Sequence, residues 1–177
     1  MGRDRAHVFE TPSTWVERFA ALVPTGEGVL DVACGNGRHA RLFLDRGHPV
    51  TAVDRAMTLD DTPGLARIEA DLESGAPWPL GEQRFGGVVV TNYLYRPLFR
   101  TLIGSVAPGG VLIYETFARG NERFGRPRNP DHLLERGELL DVVFGKLSVV
   151  AFEDVAVAEP KPAMIQRICA VAPDRAG

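Results

Sequence analysis

Short β-rich runs alternate with stretches of helical period along this chain, the pattern that builds a largely parallel sheet covered on both faces. The first run, Gly28 to Ala33, leads through Cys34-Gly35-Asn36-Gly37 into a helix carrying Leu42 and Phe43 and stopping at Arg46-Gly47. Further runs at Val50–Val53, about Arg67–Ala70, Gly87–Val90 and Val111–Tyr114 end in Asp54, Asp71, Thr91-Asn92 and Glu115. Pro97 suits a helix start, with Phe99, Ile103 and Val106 as its apolar stripe, and Pro108-Gly109-Gly110 reads as the turn into the fifth strand. Residues 117 to 129 show no period and predict a long, mobile lid, and a short helix is expected over about Arg136 to Phe144. The segments Leu147–Val157 and Met164–Val171 flank Glu159-Pro160-Lys161-Pro162 as an antiparallel hairpin. The predicted fold class is therefore α/β, a doubly wound, mostly parallel sheet closed by a C-terminal hairpin.

Ahead of the first strand, Thr11-Pro12 reads as an N-cap and first helical residue, with Val16, Phe19 and Val23 on one face. Residues 1–27 thus form a helical cover and residues 28–177 the body of one compact domain. The connections after Asp54 and Asp71 are short and proline-containing, leaving room for one helical turn at most.

Composition narrows the function. A chain of 177 residues with 45% hydrophobic and 24% charged residues is an ordinary globular domain, and a net charge of −3 argues against duplex nucleic acid as partner. Charge is uneven: residues 117 to 129 carry a net +3 and residues 92 to 103 a net +2. Cys34 and Cys169 lack metal or disulfide spacing, and no His, Asp and Glu set has ligand spacing, so a reducing, cytoplasmic setting and no metal are expected. Neither a membrane span nor a signal-peptide core is legible, and Ala6 occupies the place where a myristoylation signal needs Ser or Thr.

Ligands of open α/β sheets bind outside the carboxyl ends of the strands, where Asp31, Gly35, Asp54, Asp71, Asn92 and Glu115 converge. Gly35 and Gly37 let the backbone approach a ligand, and Asp54 is placed to accept from both ribose hydroxyls. Gly35 to Ala40 also satisfies the dinucleotide pattern G-x-G-x-x-[GA], so the glycines alone do not choose a ligand. Asp31 separates the readings: a carboxylate there repels a pyrophosphate and welcomes an ammonium group, as in an amino acid joined to a nucleoside. Asp71-Leu72 adds an acceptor for an adenine amino group. His39 reads as a capping or surface residue, and His7, His48 and His132 as isolated. Arg96 and the arginines of the lid, Arg119, Arg123 and Arg126, suit an anionic acceptor or the cofactor carboxylate.

The segments VLDVACGNGRHA at 29 to 40, VTAVDRA at 50 to 56, ADLES at 70 to 74, FGGVVVTNYLYRPLF at 85 to 99 and VAPGGVLIYETF at 106 to 117 resemble class I S-adenosylmethionine-dependent methyltransferases in order and spacing. Within that family the chain looks most like the small bacterial tellurite-resistance group. The resemblance implies a reduced Rossmann-like fold that binds S-adenosyl-L-methionine and transfers its methyl group to a small molecule. Carried over by position, it implies that Asp31 with the backbone at Ala33, Gly35 and Gly37 holds the methionine part, Asp54 the ribose, and Asp71 with Leu72 the adenine. Asn92 and Tyr93 would lie near the methyl group. From the residues themselves, Tyr93, Arg96, Glu115 and the loop from Arg119 to Arg128 are expected to form the wall opposite the sulfonium, with Glu115 partly desolvated at the end of an apolar strand and Tyr93 and Glu115 as candidate catalytic residues. An RNA methyltransferase, an NAD-dependent oxidoreductase and a nucleotide-sensing module are the competing readings.

Overall fold

The computed structural model describes residues 11–174; His7 and the first ten residues of the expected N-terminal cover lie outside them. In chain order the elements are α1 (Thr14–Phe19), β1 (Val29–Val32), α2 (Arg38–Asp45), β2 (Val50–Asp54), β3 (Leu65–Glu69), β4 (Phe85–Thr91), α3 (Phe99–Gly104), β5 (Val106–Phe117), α4 (Glu138–Val143), β6 (Ser148–Val157) and β7 (Ala163–Val171). One seven-stranded sheet has the order β3-β2-β1-β4-β5-β7-β6. The first five of these strands are parallel, and β7 runs antiparallel to both β5 and β6. No described helix is long and apolar enough to cross a membrane.

Because strand side chains alternate between faces, each central strand feeds two cores. Val29, Ala52, Val89 and Ile113 pack with Trp15, Val16 and Phe19 of α1 and Ala40 and Phe43 of α2. Leu30, Val53, Val88, Val90, Leu112 and Ile168 pack on the opposite side with Leu102 of α3 and Leu139 and Val143 of α4. The same alternation sends Asp31 to the face roofed by α2. No helix occupies the connections after β2 and β3, in agreement with their length.

Three local expectations are corrected. Ser13, not Thr11, caps α1: its hydroxyl accepts the Trp15 N–H at 3.1 Å. Val106 does not extend the stripe of α3; it opens β5, and Leu102 is the buried residue of that helix. The Pro108-Gly109-Gly110 turn is instead a register shift inside one continuous β5, opposite Phe85 to Gly87. Gly110 lies so close to its neighbours that a Cβ would stand 2.9 Å from the carbonyl oxygens of Ala107 and Phe85.

The segment 117–129 is also more ordered than its lack of period suggests. It holds a helical turn at Asn121–Arg123, and buried Asn121 pins it, donating from Nδ2 to the Pro127 carbonyl at 3.1 Å and accepting the Met164 N–H at 3.1 Å.

Candidate functional site

The carboxyl ends of the parallel strands open into a cavity of about 750 Å³ whose wall includes Ala33, Asp54, Arg55, Asp71, Leu72, Glu73, Asn92 and Tyr93. Two of these residues, Ala33 at the end of β1 and Asn92 at the end of β4, have φ of 53°, the left-handed region in which side chains are uncommon. Both strands therefore break sharply where they reach the cavity, and the backbone itself forms part of the wall.

The loop between β1 and α2 is tied to β2 by one side chain. Asp54 accepts the Gly35 N–H at 2.8 Å through Oδ2 and the Ala56 N–H at 3.1 Å through Oδ1. Gly37 caps α2 with φ of 72°, and a Cβ there would run into the side chain of Leu59. Beneath the loop, Asp31 is 1% exposed and its Oδ2 accepts the Ala40 N–H at 3.0 Å. Burial pushes its carboxyl up to about 7, a rise moderated by the Ala40 hydrogen bond and by Arg38. Asp31 thus supports the loop from below, and Gly35 and Gly37 shape the loop behind the cavity wall, which Ala33, Asp54, Asp71, Leu72 and Asn92 line.

His39 is not on the surface. It is 2% exposed, and its Nε2 accepts the Ser13 N–H at 3.0 Å. That contact assigns the ring hydrogen to Nδ1, which lies 3.4 Å from the Thr91 hydroxyl. Burial, then the charge of Arg38, lower the imidazole to about 3, so His39 is a neutral tie between α2, the tip of β4 and the start of α1. Burial and the neighbouring Glu73 push the Tyr93 phenol above its ordinary range, so at neutral pH it is a donor and no base.

Glu115 stands apart from the lid arginines. Its Oε1 accepts the Ser13 hydroxyl at 2.7 Å and its Oε2 the Arg167 guanidinium at 3.1 Å. Arg167 also pairs with Glu153 at 2.6 Å and lies over the Trp15 ring, 4.7 Å from its centroid. Sequence reading missed Arg167 because the partners are 52 residues apart; the signal is the antiparallel register that sets Glu115 directly opposite Arg167. His132, which reads as isolated in the sequence, lines the cavity together with Phe117 and Pro127.

The basic residues expected around the acceptor have other partners. Arg96 forks onto Glu138, with Nε to Oε1 at 2.7 Å and Nη2 to Oε2 at 2.9 Å, and also donates to the carbonyls of Asp131 and Leu133. Arg119 pairs with Glu135 at 2.8 Å, and Arg123 donates to the Gly120 carbonyl at 3.2 Å. Neither these three nor Arg126 lines the cavity. Arg96 is therefore a brace between the β4 exit and α4. Arg96→Ala is expected to lower stability by about 1–2 kcal/mol in urea unfolding, since one half-exposed forked pair and two carbonyl contacts are lost.

No family model matches the chain. Over 140 residues it is 28% identical to a malonyl-[acyl-carrier protein] O-methyltransferase of Serratia marcescens, covering 72% of this chain and 48% of that protein. Over 127 residues it is 29% identical to a protein-L-isoaspartate O-methyltransferase of Rhodopseudomonas palustris (strain BisB5), covering 67% of this chain and 58% of that protein. The chain spans about half the length of these curated relatives. Among solved structures, TehB from Haemophilus influenzae superposes with a TM-score of 0.66 at 13% identity, covering 89% of this chain and 61% of that one. The 1,6-didemethyltoxoflavin-N1-methyltransferase of Burkholderia thailandensis, solved with 1,6-didemethyltoxoflavin and S-adenosylhomocysteine, gives 0.63 at 19% identity, covering 90% of this chain and 77% of that one. The chain has the class I methyltransferase fold. In this fold Ala33, at the start of the β1–α2 loop, and the tips of β2 and β4 meet around the larger cavity, and the connections after β2 and β3 carry no helix.

Proposed function

We propose that the chain transfers a methyl group from S-adenosyl-L-methionine to a small-molecule acceptor. The observation that carries this reading is the charge of the larger cavity: its wall holds the carboxylates of Asp54, Asp71 and Glu73 against the single guanidinium of Arg55. Such a wall favours a ligand bearing a sulfonium and an ammonium and disfavours the pyrophosphate of NAD. The same acidic wall and the net charge weigh against an RNA substrate.

In this reading Asp54 accepts from the ribose, Asp71 and Leu72 hold the adenine, and Ala33 presents loop backbone to the methionine part, with Gly35 and Gly37 giving the loop its shape and Asp31 buried beneath it. S-adenosylmethionine supplies a methyl carbon already bonded to a positive sulfur: an acceptor lone pair forms the new bond to carbon while the carbon–sulfur pair stays on sulfur, releasing neutral S-adenosylhomocysteine. The protein's task is alignment and exclusion of water, effects worth several kcal/mol. Asn92 and Tyr93 stand at that end of the cavity, Tyr93 as a neutral donor. Glu115, with both oxygens engaged by Ser13 and Arg167, holds the N-terminal segment against β5 and β7 and has a positioning role.

Thermal-shift titration tests the reading. S-adenosylhomocysteine is expected to stabilise the protein, by about 2.7 kcal/mol at a hundred times its Kd, and NAD to leave it unchanged. A shift with NAD and none with S-adenosylhomocysteine would overturn the assignment.

A further inference from the structure

His132 has no part in the cofactor roles above, although it lines the larger cavity. The turn that carries it is pinned at every residue. Asn129 accepts the Asp131 N–H at 3.0 Å through its side chain and the His132 N–H at 3.0 Å through its carbonyl. Leu133 and Leu134, the next two residues, are fully buried, and the Leu134 N–H donates to the Phe117 carbonyl of β5 at 3.0 Å. Arg96 clamps the peptide on both sides of the histidine, donating to the carbonyls of Asp131 at 3.0 Å and Leu133 at 2.8 Å while Glu138 holds its fork. The ring itself is exposed, and among the described residues neither of its nitrogens is engaged by a hydrogen bond.

The tip of β5 joins this turn to the Asn92 end of the cofactor site. The Asn92 N–H donates to the Glu115 carbonyl at 2.9 Å, and two residues further along β5 the Phe117 carbonyl receives Leu134. Asn92 and Phe117 also border a second cavity, of about 280 Å³, beside the first. Register builds its apolar flank: Phe117 of β5 stands opposite Ile165 of β7, and Ala163 of β7 opposite Val157 of β6. An apolar group seated beside Asn92 has room to continue there.

The other titratable groups of the larger cavity are poor recipients for a proton from a nucleophile. Tyr93 is a neutral donor, a guanidinium such as that of Arg55 keeps its proton, and carboxylates such as those of Asp54, Asp71 and Glu73 are weak bases toward an ammonium. Imidazole is the side chain whose ordinary pKa lies near neutrality, and an exposed ring can pass its proton on to water. The backbone N–H groups that Asp54 and Asp71 accept leave the charge of those carboxylates in place. Three carboxylates against one guanidinium leave the wall negative even with the cofactor's net single positive charge beside it, which favours a cationic acceptor.

We propose that His132 is the proton acceptor of the reaction, that Arg96 is its positioning residue, and that the methyl acceptor is a primary or secondary amine with an apolar body. The inference rests on the methyl-transfer reading. The His132 imidazole takes a proton from the acceptor ammonium. The freed nitrogen lone pair bonds to the methyl carbon while the carbon–sulfur pair stays on sulfur, giving the N-methylated ammonium and S-adenosylhomocysteine, and the imidazolium returns its proton to solvent. A thiolate acceptor would need no such base. Arg96, which the sequence assigns to an anionic acceptor, acts instead through the backbone at 131–133.

Transfer of a radiolabelled methyl group from S-adenosylmethionine to benzylamine, hexylamine, benzyl alcohol and phenylacetate, with thermal-shift titration of S-adenosylhomocysteine alongside, tests the assignment. The two amines are expected to be methylated, and the alcohol and the acid to remain unmodified. His132→Gln is expected to lower kcat for benzylamine by about 100-fold or more, the usual contribution of a positioned base, with KM and S-adenosylhomocysteine affinity unchanged. Added imidazole is expected to restore turnover to His132→Gly. Arg96→Lys keeps a charge against Glu138 and loses the two-sided clamp; it is expected to lower kcat at unchanged KM and also to be rescued by imidazole, which a purely structural role would not produce. Methylation of the alcohol or the acid in place of the amines, methylation of none of the four by a protein that binds S-adenosylhomocysteine, or a wild-type kcat in His132→Gln would overturn the proposal. Absence of any shift with S-adenosylhomocysteine would remove the methyl-transfer reading, and the proposal with it.

Discussion

Asp54→Ala is expected to weaken S-adenosylhomocysteine binding by about 2–4 kcal/mol, roughly 30- to 1,000-fold in Kd. Two losses combine. The carboxylate that the proposed function assigns to the ribose disappears, and the Gly35 and Ala56 N–H groups that it holds at 2.8 and 3.1 Å are released, so the loop loses its preformed shape. Asp54→Asn, which keeps one acceptor oxygen, should fall between the two. Isothermal titration on folded variants decides the matter: an Asp54→Ala protein with wild-type affinity would remove the ribose assignment.

The second large effect concerns pH. Asp31 has its carboxyl raised by burial from 3.8 to about 7, so between these values the folded chain holds a proton that the unfolded chain has released. Stability contributed by this group is full below pH 4 and declines as pH rises toward 7, by on the order of 3–4 kcal/mol for a shift of this size. Asp31→Asn keeps an oxygen for the Ala40 N–H and has no proton to lose. The difference in urea stability between wild type and variant should therefore move in favour of the variant from pH 4 to pH 8. A difference constant with pH would show that Asp31 is not held protonated. In the proposed function the ligand's ammonium draws this carboxyl into its ionised form, so the variant, which cannot ionise, is expected to bind S-adenosylhomocysteine more weakly.

Most of the sheet was legible because its strands are short, apolar and punctuated. Val29–Val32, Val50–Asp54 and Phe85–Thr91 lie where β-rich runs meet polar tips, and the glycine loop begins where Ala33 and Gly35 take positive φ. The misplacements have a common cause, in that a local signal was outweighed by a distant partner. Ser13 caps α1, and His39 and Glu115 then secure that end from α2 and β5. Val106 has the spacing of a helical stripe, yet its pairing with Phe85 makes it strand. Arg96 and Arg119 look like anion binders in one dimension, but their carboxylate partners, Glu138 and Glu135, arrive from the segment around α4. Of the proposed cofactor residues, those on the cavity wall sit at strand ends and were readable from punctuation. The second cavity was not, because its flank exists only where β5, β6 and β7 lie side by side.

The strand order bears on how the molecule assembles. β7 lies between β5 and β6, so β6, although made earlier, has no place in the sheet until residues 163–171 arrive. The wall of the larger cavity comes entirely from residues 33–132, whereas that of the second needs Ala163, Ile165 and Arg167. During synthesis the first chamber can therefore take shape while the second is still open, and Glu115 waits in the unpaired edge of β5 for a guanidinium 52 residues downstream. Until then that edge is a free template for any strand, and pairing it with β7 covers the β5 edge, gives β6 its place and completes the second chamber.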